Sequence, residues 1–386
     1  MLRISKFLTI LFLVTLNTGS LASQVRVRLF TGSDPESALF SVTRGEYRVD
    51  AYNGNPVVLK RGEVLLILKF KGRLALKTHD SKGFICDSVS VSGSSGEDLF
   101  SLRISGKRSA RQFYSGDLQC YPDLGTLLLI NRCGIESYIA GVVRAEGGAG
   151  KNGEYFKTQA IIARTYMHKS FNKHLSDGFN LCDDTHCQAF NGITSDSLII
   201  QAVHETNGMV ILARDSTLIN SAFHSNCGGE TSASGDVWLM EVPYLKSVKD
   251  PYCLYSRNAT WQKSISTAGW TGYLKEMGYT GDMNNKELFQ FSQKGRTTDY
   301  RAGSFTLPLL RIRSDLKLRS AYFSVTAEGD SVVLKGRGYG HGVGLCQEGA
   351  MVMASKGFDY KQIIGFYYAG VIITDIKNAK VLPLTP

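Results

Sequence analysis

Polar and apolar residues alternate along short segments from residue 24 to about 130. QVRVRLF opens the series, and EYRVDAY, PVVL, EVLLILKF, RLALKT, VSVSG, LFSLRIS and GTLLLIN continue it. Gly, Asn, Asp and Ser separate them. A two-residue period broken by turn residues predicts strands, so this region reads as a β-rich lobe.

The period changes in GIESYIAGVVRAEGGAGKNGEYFKTQAIIARTYMHKSF, from Gly134 to Phe171. An apolar run (Tyr138, Ile139, Val142, Val143) leads to Glu146. A glycine-rich loop follows with Gly147, Gly148, Gly150 and Gly153. Phe156, Ala160, Ala163, Met167 and Phe171 then recur at three- and four-residue spacing, which places them on one helix face. Ser195 to Asn207 predicts a short helix with Ser195 as N-cap. MVILA reads as a strand, and LINSAFHSNCGGET as a strand running into a Gly-Gly loop. Residues 256–300, with Trp261 and Trp270, read as a helical insertion. LRIRSDLKLRSAYFSVTAEGDSVVLKGRGYGHGVG returns to strand patterns and ends with glycine at alternate positions from Gly336 to Gly344. Two helices close the chain: one stops at Gly357, and Asp359 caps the other, which stops at Gly370. The expected fold class is α+β.

At 386 residues the chain is long enough for two lobes. Hydrophobic residues make up 43% and charged residues 20%, which suits a folded core rather than a disordered chain. The first residues set the compartment. Arg3 and Lys6 precede the apolar stretch FLTILFLVTL, and Ser20-Leu21-Ala22 fits a cleavage site. Residues 1–22 therefore read as an export signal, too short to span a bilayer comfortably. The expected location is extracytoplasmic, with no transmembrane segment after cleavage. A net charge of +10 favours anionic partners. Export and the absence of a nucleic-acid motif argue against nucleic acid and leave the cell wall or a membrane face.

The candidate chemistry is concentrated in three places. Glu146 sits at an apolar-flanked, glycine-rich junction, where burial would raise its pKa toward that of a general acid; an ordinary capping carboxylate is the alternative. It has no second carboxylate near it in sequence, although Asp183, Asp184, Glu230 and Asp250 are free to approach in space. His174, Cys182, His186 and Cys187 offer two imidazoles and two thiolates, enough for a tetrahedral zinc shell. A disulfide between Cys182 and Cys187 competes with it, and a cysteine nucleophile is a third reading. The glycine loop around His341 lacks the ending of a phosphate loop and predicts close backbone approach, to another segment or to an extended ligand. The chain has eight cysteines, whose pairing sequence does not choose.

Four segments together resemble the SpoIID/LytB family, the stage II sporulation protein D group, also called amidase-enhancer domains. They are IESYIAGVVRAE with FKTQAIIARTY, DDTHCQAFNG, FHSNCGGETSASGDVW with PYLKSVKDP, and GRGYGHGVGLCQEGAMVMASKGFDYKQIIGFYYAG. They run in the family's order over roughly residues 125–375. Family members often carry Met or Pro after the Glu, where this chain has Gly147 and Gly148. The resemblance implies a β-rich lobe over 23–125, a catalytic domain over 126–375 with a possible insertion at 255–300, and a tail over 376–386. It implies a lytic transglycosylase that cuts the bond between N-acetylmuramic acid and N-acetylglucosamine in peptidoglycan, on peptide-free strands, leaving 1,6-anhydro ends. One acid suffices for that chemistry, because the muramic 6-hydroxyl is the nucleophile. By resemblance Glu146 is the acid/base, and Arg164, Tyr244 and Lys246 are further site residues. Zinc, known in part of the family, would be structural and held by His174, Cys182, His186 and Cys187. The alternative function is a non-catalytic wall-binding module that enhances a peptidoglycan amidase.

Overall fold

The structure is a computed structural model that describes residues 24–380, apart from 52–54, 80–82, 107–109, 148–151 and 239. The expected export signal, Gly148, Gly150 and the last six residues of the expected tail lie outside the described residues.

The α+β expectation holds: helices and several sheets are both present. Alternation builds two facing sheets. One has seven strands in the order Leu181–Cys182, Gln24–Leu29, Thr126–Gly134, Asp117–Asp123, Val89–Gly93, Glu46–Ala51 and Val57–Lys60. The other has six, with Ser37–Arg44 and Val64–Phe70 at its centre. Val25, Val27 and Leu29 from the first sheet, and Ala38, Phe40, Val42, Leu65 and Ile67 from the second, are buried. This is the sandwich solution for two half-apolar sheets. Phe40 and Phe100 stack at 4.8 Å, with Tyr47 edge-on to both. The expected boundary at 125/126 falls at the turn of the hairpin that pairs Asp123 with Thr126. One apolar core continues across it, from Val25 to Tyr368.

Eight helices are described: α1 (Ile135–Glu146), α2 (Gly153–Lys169), α3 (Ser197–Glu205), α4 (Ser234–Trp238), α5 (Thr267–Glu276), α6 (Leu309–Asp315), α7 (Gln347–Ser355) and α8 (Tyr360–Tyr367). Asn152 caps α2 by accepting from the Glu154 N–H at 2.9 Å. Asp359 and Gln362 form a reciprocal capping box on α8. The cap of α3 is Asp196 rather than Ser195, its carboxylate accepting from Leu198 and Ile199. A carboxylate one residue downstream wins because it reaches two orphan N–H groups at the positive end of the helix.

Residues 256–300 are not a helical insertion. They contain one ten-residue helix, α5, among short strands. Thr260–Ser266 pairs with Ser331–Arg337 in a four-stranded sheet. This unit has a second core around Trp270, Tyr300, Leu309 and Leu334. Within it, Leu309–Asp315 is helical where strand patterns were expected. The alternate glycines serve close approach to another segment. Gly340 has φ +116°, and a Cβ there would lie 2.8 Å from His224 Cβ. At Gly344 it would lie 2.1 Å from the Ala222 carbonyl oxygen.

No helix among the described residues is long and apolar enough to cross a membrane.

Candidate active site

Glu146 is the last residue of α1, and contacts on three sides fix it. A Cβ on Gly141 would lie 2.4 Å from the Gly192 carbonyl oxygen and 2.5 Å from the Phe190 ring. That glycine lets the segment before Gly192 lie directly on α1, where Tyr138 and Phe190 pack at 5.0 Å. The same segment presents the Ala189 N–H to Glu146 Oε1 at 2.7 Å. On another side, Gln347 Nε2 donates to the Glu146 carbonyl at 2.7 Å. Tyr155 Oη donates to the Gly147 carbonyl at 2.9 Å. The carboxyl therefore sits on an ordered helix end.

Glu146 lines a cavity of about 640 Å³ together with Tyr166, His186, Gln188, Ser221, His224, Tyr339, His341 and Gln347. Among the described residues it is the one carboxylate in that wall. Burial raises its pKa, against a smaller lowering by the Ala189 N–H. The four other carboxylates in question are all engaged elsewhere. Asp183 accepts from the Phe30 and Thr31 N–H groups. Asp184 accepts from the His186 N–H at 2.8 Å. Glu230 pairs with Lys249 at 2.7 Å, and Asp250 lies among three cysteines.

Three histidines form part of the cavity wall, His186, His224 and His341. His341 Nδ1 accepts from the Val343 N–H at 3.0 Å, and burial pushes its pKa down to about 4. His224 Nδ1 lies 3.1 Å from the Val343 carbonyl, which only accepts, so that nitrogen carries the proton. Its Nε2 is then a lone-pair acceptor, buried and without a hydrogen-bond partner. Burial holds the His224 pKa well below the usual imidazole value. His224 was not singled out from the sequence. The signal available was its place in FHSNCGGET, two residues after an apolar stretch.

Arg164, Tyr244 and Lys246 do not line this cavity. Arg164 is fully buried and forms a two-pronged ion pair with Glu136, Nε to Oε1 at 3.0 Å and Nη2 to Oε2 at 2.5 Å. It also donates to the Met209 carbonyl at 3.1 Å. Its guanidinium thus ties α2 to the first turn of α1 and to the strand Met209–Leu212. Tyr244 and Lys246 line a second cavity of about 510 Å³ with Arg214 and Asp215. Tyr244 Oη accepts from the Asn220 N–H at 2.8 Å, next to Ser221 of the first cavity. The structure therefore does not bring Arg164, Tyr244 or Lys246 into the wall that holds Glu146.

His174, Cys182, His186 and Cys187 do converge, with their ligand atoms within 4.8 Å of one another. The edge strand Leu181–Cys182 pairs in parallel with Val27 and Arg28, which fixes Cys182. His186 Nδ1 is 3.5 Å from Cys182 Sγ and 3.8 Å from Cys187 Sγ. A tetrahedral zinc with bonds of about 2.3 Å to sulfur and about 2.0 Å to nitrogen separates such atoms by about 3.5 Å. His174 Nδ1 faces Asp177 at 3.1 Å, while its Nε2 is buried without a partner. A carboxylate behind the ring leaves that nitrogen free to serve as a ligand. Both thiols are unbonded.

The family model described as stage II sporulation protein, SpoIID, matches residues 123–212. An uncharacterized protein of Brachyspira hyodysenteriae is 30% identical over 279 residues, covering 69% of this chain and 73% of that protein. Stage II sporulation protein D of Bacillus subtilis is 30% identical over 270 residues, 62% of this chain and 74% of its own length. The amidase enhancer of Bacillus subtilis is 30% identical over 289 residues, 61% of this chain and 40% of its own length.

Proposed function

The chain belongs to the SpoIID family, and from that premise we propose that it is a lytic transglycosylase of peptidoglycan, with Glu146 as its acid and base. The observation that carries this is a lone, half-buried carboxyl with a raised pKa in a cavity wall that contains no second carboxylate among the described residues. Ordinary glycoside hydrolysis uses two carboxylates. An intramolecular hydroxyl removes the need for the second.

In the proposed reaction Glu146 Oε1 accepts the Ala189 N–H, which leaves the other oxygen to carry the acid proton. That proton goes to the glycosidic oxygen as its bond to C1 of the muramic residue breaks. The 6-hydroxyl of the same residue bonds to C1 and gives its proton to the Glu146 carboxylate. The acid is regenerated and a 1,6-anhydro end forms. His224 Nε2, an unpartnered acceptor in the same wall, suits a sugar hydroxyl. The +10 charge suits an anionic wall and, with the export signal read from the sequence, an extracytoplasmic site of action.

We further propose that His174, Cys182, His186 and Cys187 hold a structural zinc. A closed four-ligand shell supplies folding energy rather than a reacting water. It would brace the segment that delivers Ala189 to Glu146. Zinc content should fall by about one equivalent in Cys182→Ser.

A second reading draws on the relative named amidase enhancer: a wall-binding module that stimulates a peptidoglycan amidase, with Arg214 and Lys246 supplying cationic contacts. Digestion of peptide-free glycan strands in H₂¹⁸O separates the two. The transglycosylase releases anhydro ends without ¹⁸O. Release of ¹⁸O-labelled reducing ends contradicts the proposed chemistry, and absence of any product favours the module.

A further inference from the structure

The chain contains a second convergence of ligand atoms, remote in sequence from the first. Cys227, Asp250, Cys253 and Cys346 are all fully buried, and their ligand atoms lie within 4.8 Å of one another. Cys227 follows the strand Phe223–His224. Asp250 and Cys253 share the turn DPYC. Cys346 ends the strand Leu345–Cys346 and caps α7. The two short strands run parallel and pair His224 with Cys346, so the sheet itself brings the cysteines together.

The spacing is that of a coordination shell. Cys227 Sγ lies 3.3 Å from Cys253 Sγ and 3.2 Å from Asp250 Oδ2. Zinc with Zn–S bonds of about 2.3 Å separates two sulfurs by about 3.8 Å, and a sulfur from an oxygen by about 3.5 Å. The two sulfurs are thus about 0.5 Å closer, and the sulfur and oxygen about 0.3 Å closer, than a bound zinc would hold them.

The surroundings are those of ligands. Cys346 Sγ accepts N–H bonds from Cys227 at 3.3 Å and from Gly349 at 3.4 Å. Cys253 Sγ accepts from Gly229 at 3.3 Å. Asp250 Oδ1 accepts from the Tyr252 N–H at 2.8 Å, and Tyr367 Oη donates to Oδ2 at 3.0 Å. Outer bonds of this kind hold thiolate and carboxylate ligands in place. Among the described residues no Lys, Arg or His forms an ion pair with Asp250. A fully buried carboxylate is accommodated by a cation, a metal or a retained proton.

We propose that Cys227, Cys253, Cys346 and Asp250 form a second structural metal site for a thiophilic, tetrahedral divalent cation of the zinc class. The site joins the loop after His224, the turn at residues 250–253 and the start of α7. His224, Ser225 and Gln347 from these same elements line the Glu146 cavity. The ion therefore clasps one wall of that cavity from behind. This proposal is independent of the glycan chemistry.

The test uses the full exported chain, stripped with a chelator under reducing conditions and titrated with Co²⁺. Wild type should bind about two equivalents, with the intense d–d and sulfur charge-transfer absorption of tetrahedral thiolate sites. Cys182→Ser/Cys187→Ser, which disables the first cluster, should still bind about one equivalent with a sulfur-rich spectrum. Adding Cys253→Ser to that background should abolish it, and Cys253→His should restore binding with a weaker sulfur band. Absence of binding by the Cys182→Ser/Cys187→Ser variant, or unchanged binding when Cys253→Ser is added to it, overturns the proposal. So does recovery of a Cys227–Cys253 disulfide from the chain as isolated.

Discussion

The two cavities are linked through Tyr244, which lines the second and holds the Asn220 N–H beside Ser221 of the first, and they differ in what burial has done to their charges. The first holds Glu146, His224 and His341. Burial raises the carboxyl and lowers both imidazoles, so each group is pushed toward its neutral form. The second holds Arg214, Asp215 and Lys246, all exposed to solvent. A neutral acid beside neutral acceptors can move protons; exposed cations can hold an anion. On the proposed function, chemistry belongs to the first cavity and charge recognition to the second, although the resemblance placed residues of both in one site.

The largest test of this contrast is a pair of substitutions. Glu146→Gln should lower kcat on peptide-free glycan by roughly 10²–10⁴-fold, the usual worth of a general acid. Lys246→Ala should chiefly raise KM and change kcat by less than about tenfold. Equal loss of kcat in both would merge the cavities into one catalytic site.

Arg164 comes next. Arg164→Met should lower unfolding free energy by about 3 kcal/mol in urea titrations, because it strips Glu136 of a buried partner. Loss of activity without loss of stability would return Arg164 to the catalytic set.

The pH dependence follows from the raised carboxyl. The acid must be protonated, so kcat should fall about tenfold per pH unit above its pKa, and Glu146→Gln should lose that limb. Stability follows the same sign. A carboxyl that holds its proton more tightly folded than unfolded favours folding below the unfolded value of about 4.3, and that contribution is lost as pH rises through the folded value. Glu146→Gln should therefore raise the unfolding temperature at pH 8. A lowered Tm there contradicts a desolvated carboxyl.

The smallest effect belongs to Tyr244→Phe, which removes the acceptor for the Asn220 N–H. It should cost about 1 kcal/mol in stability and leave the pH profile in place.

Much of this architecture was legible in residue order. The two-residue period gave most sandwich strands, and the helical period gave α2. Asp117–Asp123 was hidden by Pro122. That residue is tolerated because the neighbouring strand Val89–Gly93 pairs only with Leu118 to Cys120, short of the proline. α6 was hidden because LRIRSD satisfies a strand pattern as well as a helical one over so short a span. Glu146 was visible, but its cavity was not. The walls come from six stretches between residues 146 and 347 (146, 166, 185–188, 221–225, 339–341 and 347), and only tertiary pairing joins them. Cys227, Asp250, Cys253 and Cys346 were invisible as a set for the same reason, whereas His174, Cys182, His186 and Cys187 lie within fourteen residues of one another.

We propose that one carboxyl, Glu146, cuts glycan without a second. Mass spectrometry of peptide-free strands incubated with purified wild type and with folded Glu146→Gln tests it most directly. The account predicts 1,6-anhydro disaccharides from wild type and at least a hundredfold less from the variant, within the roughly 10²–10⁴-fold range of a lost general acid. Equal release by the two proteins would contradict it.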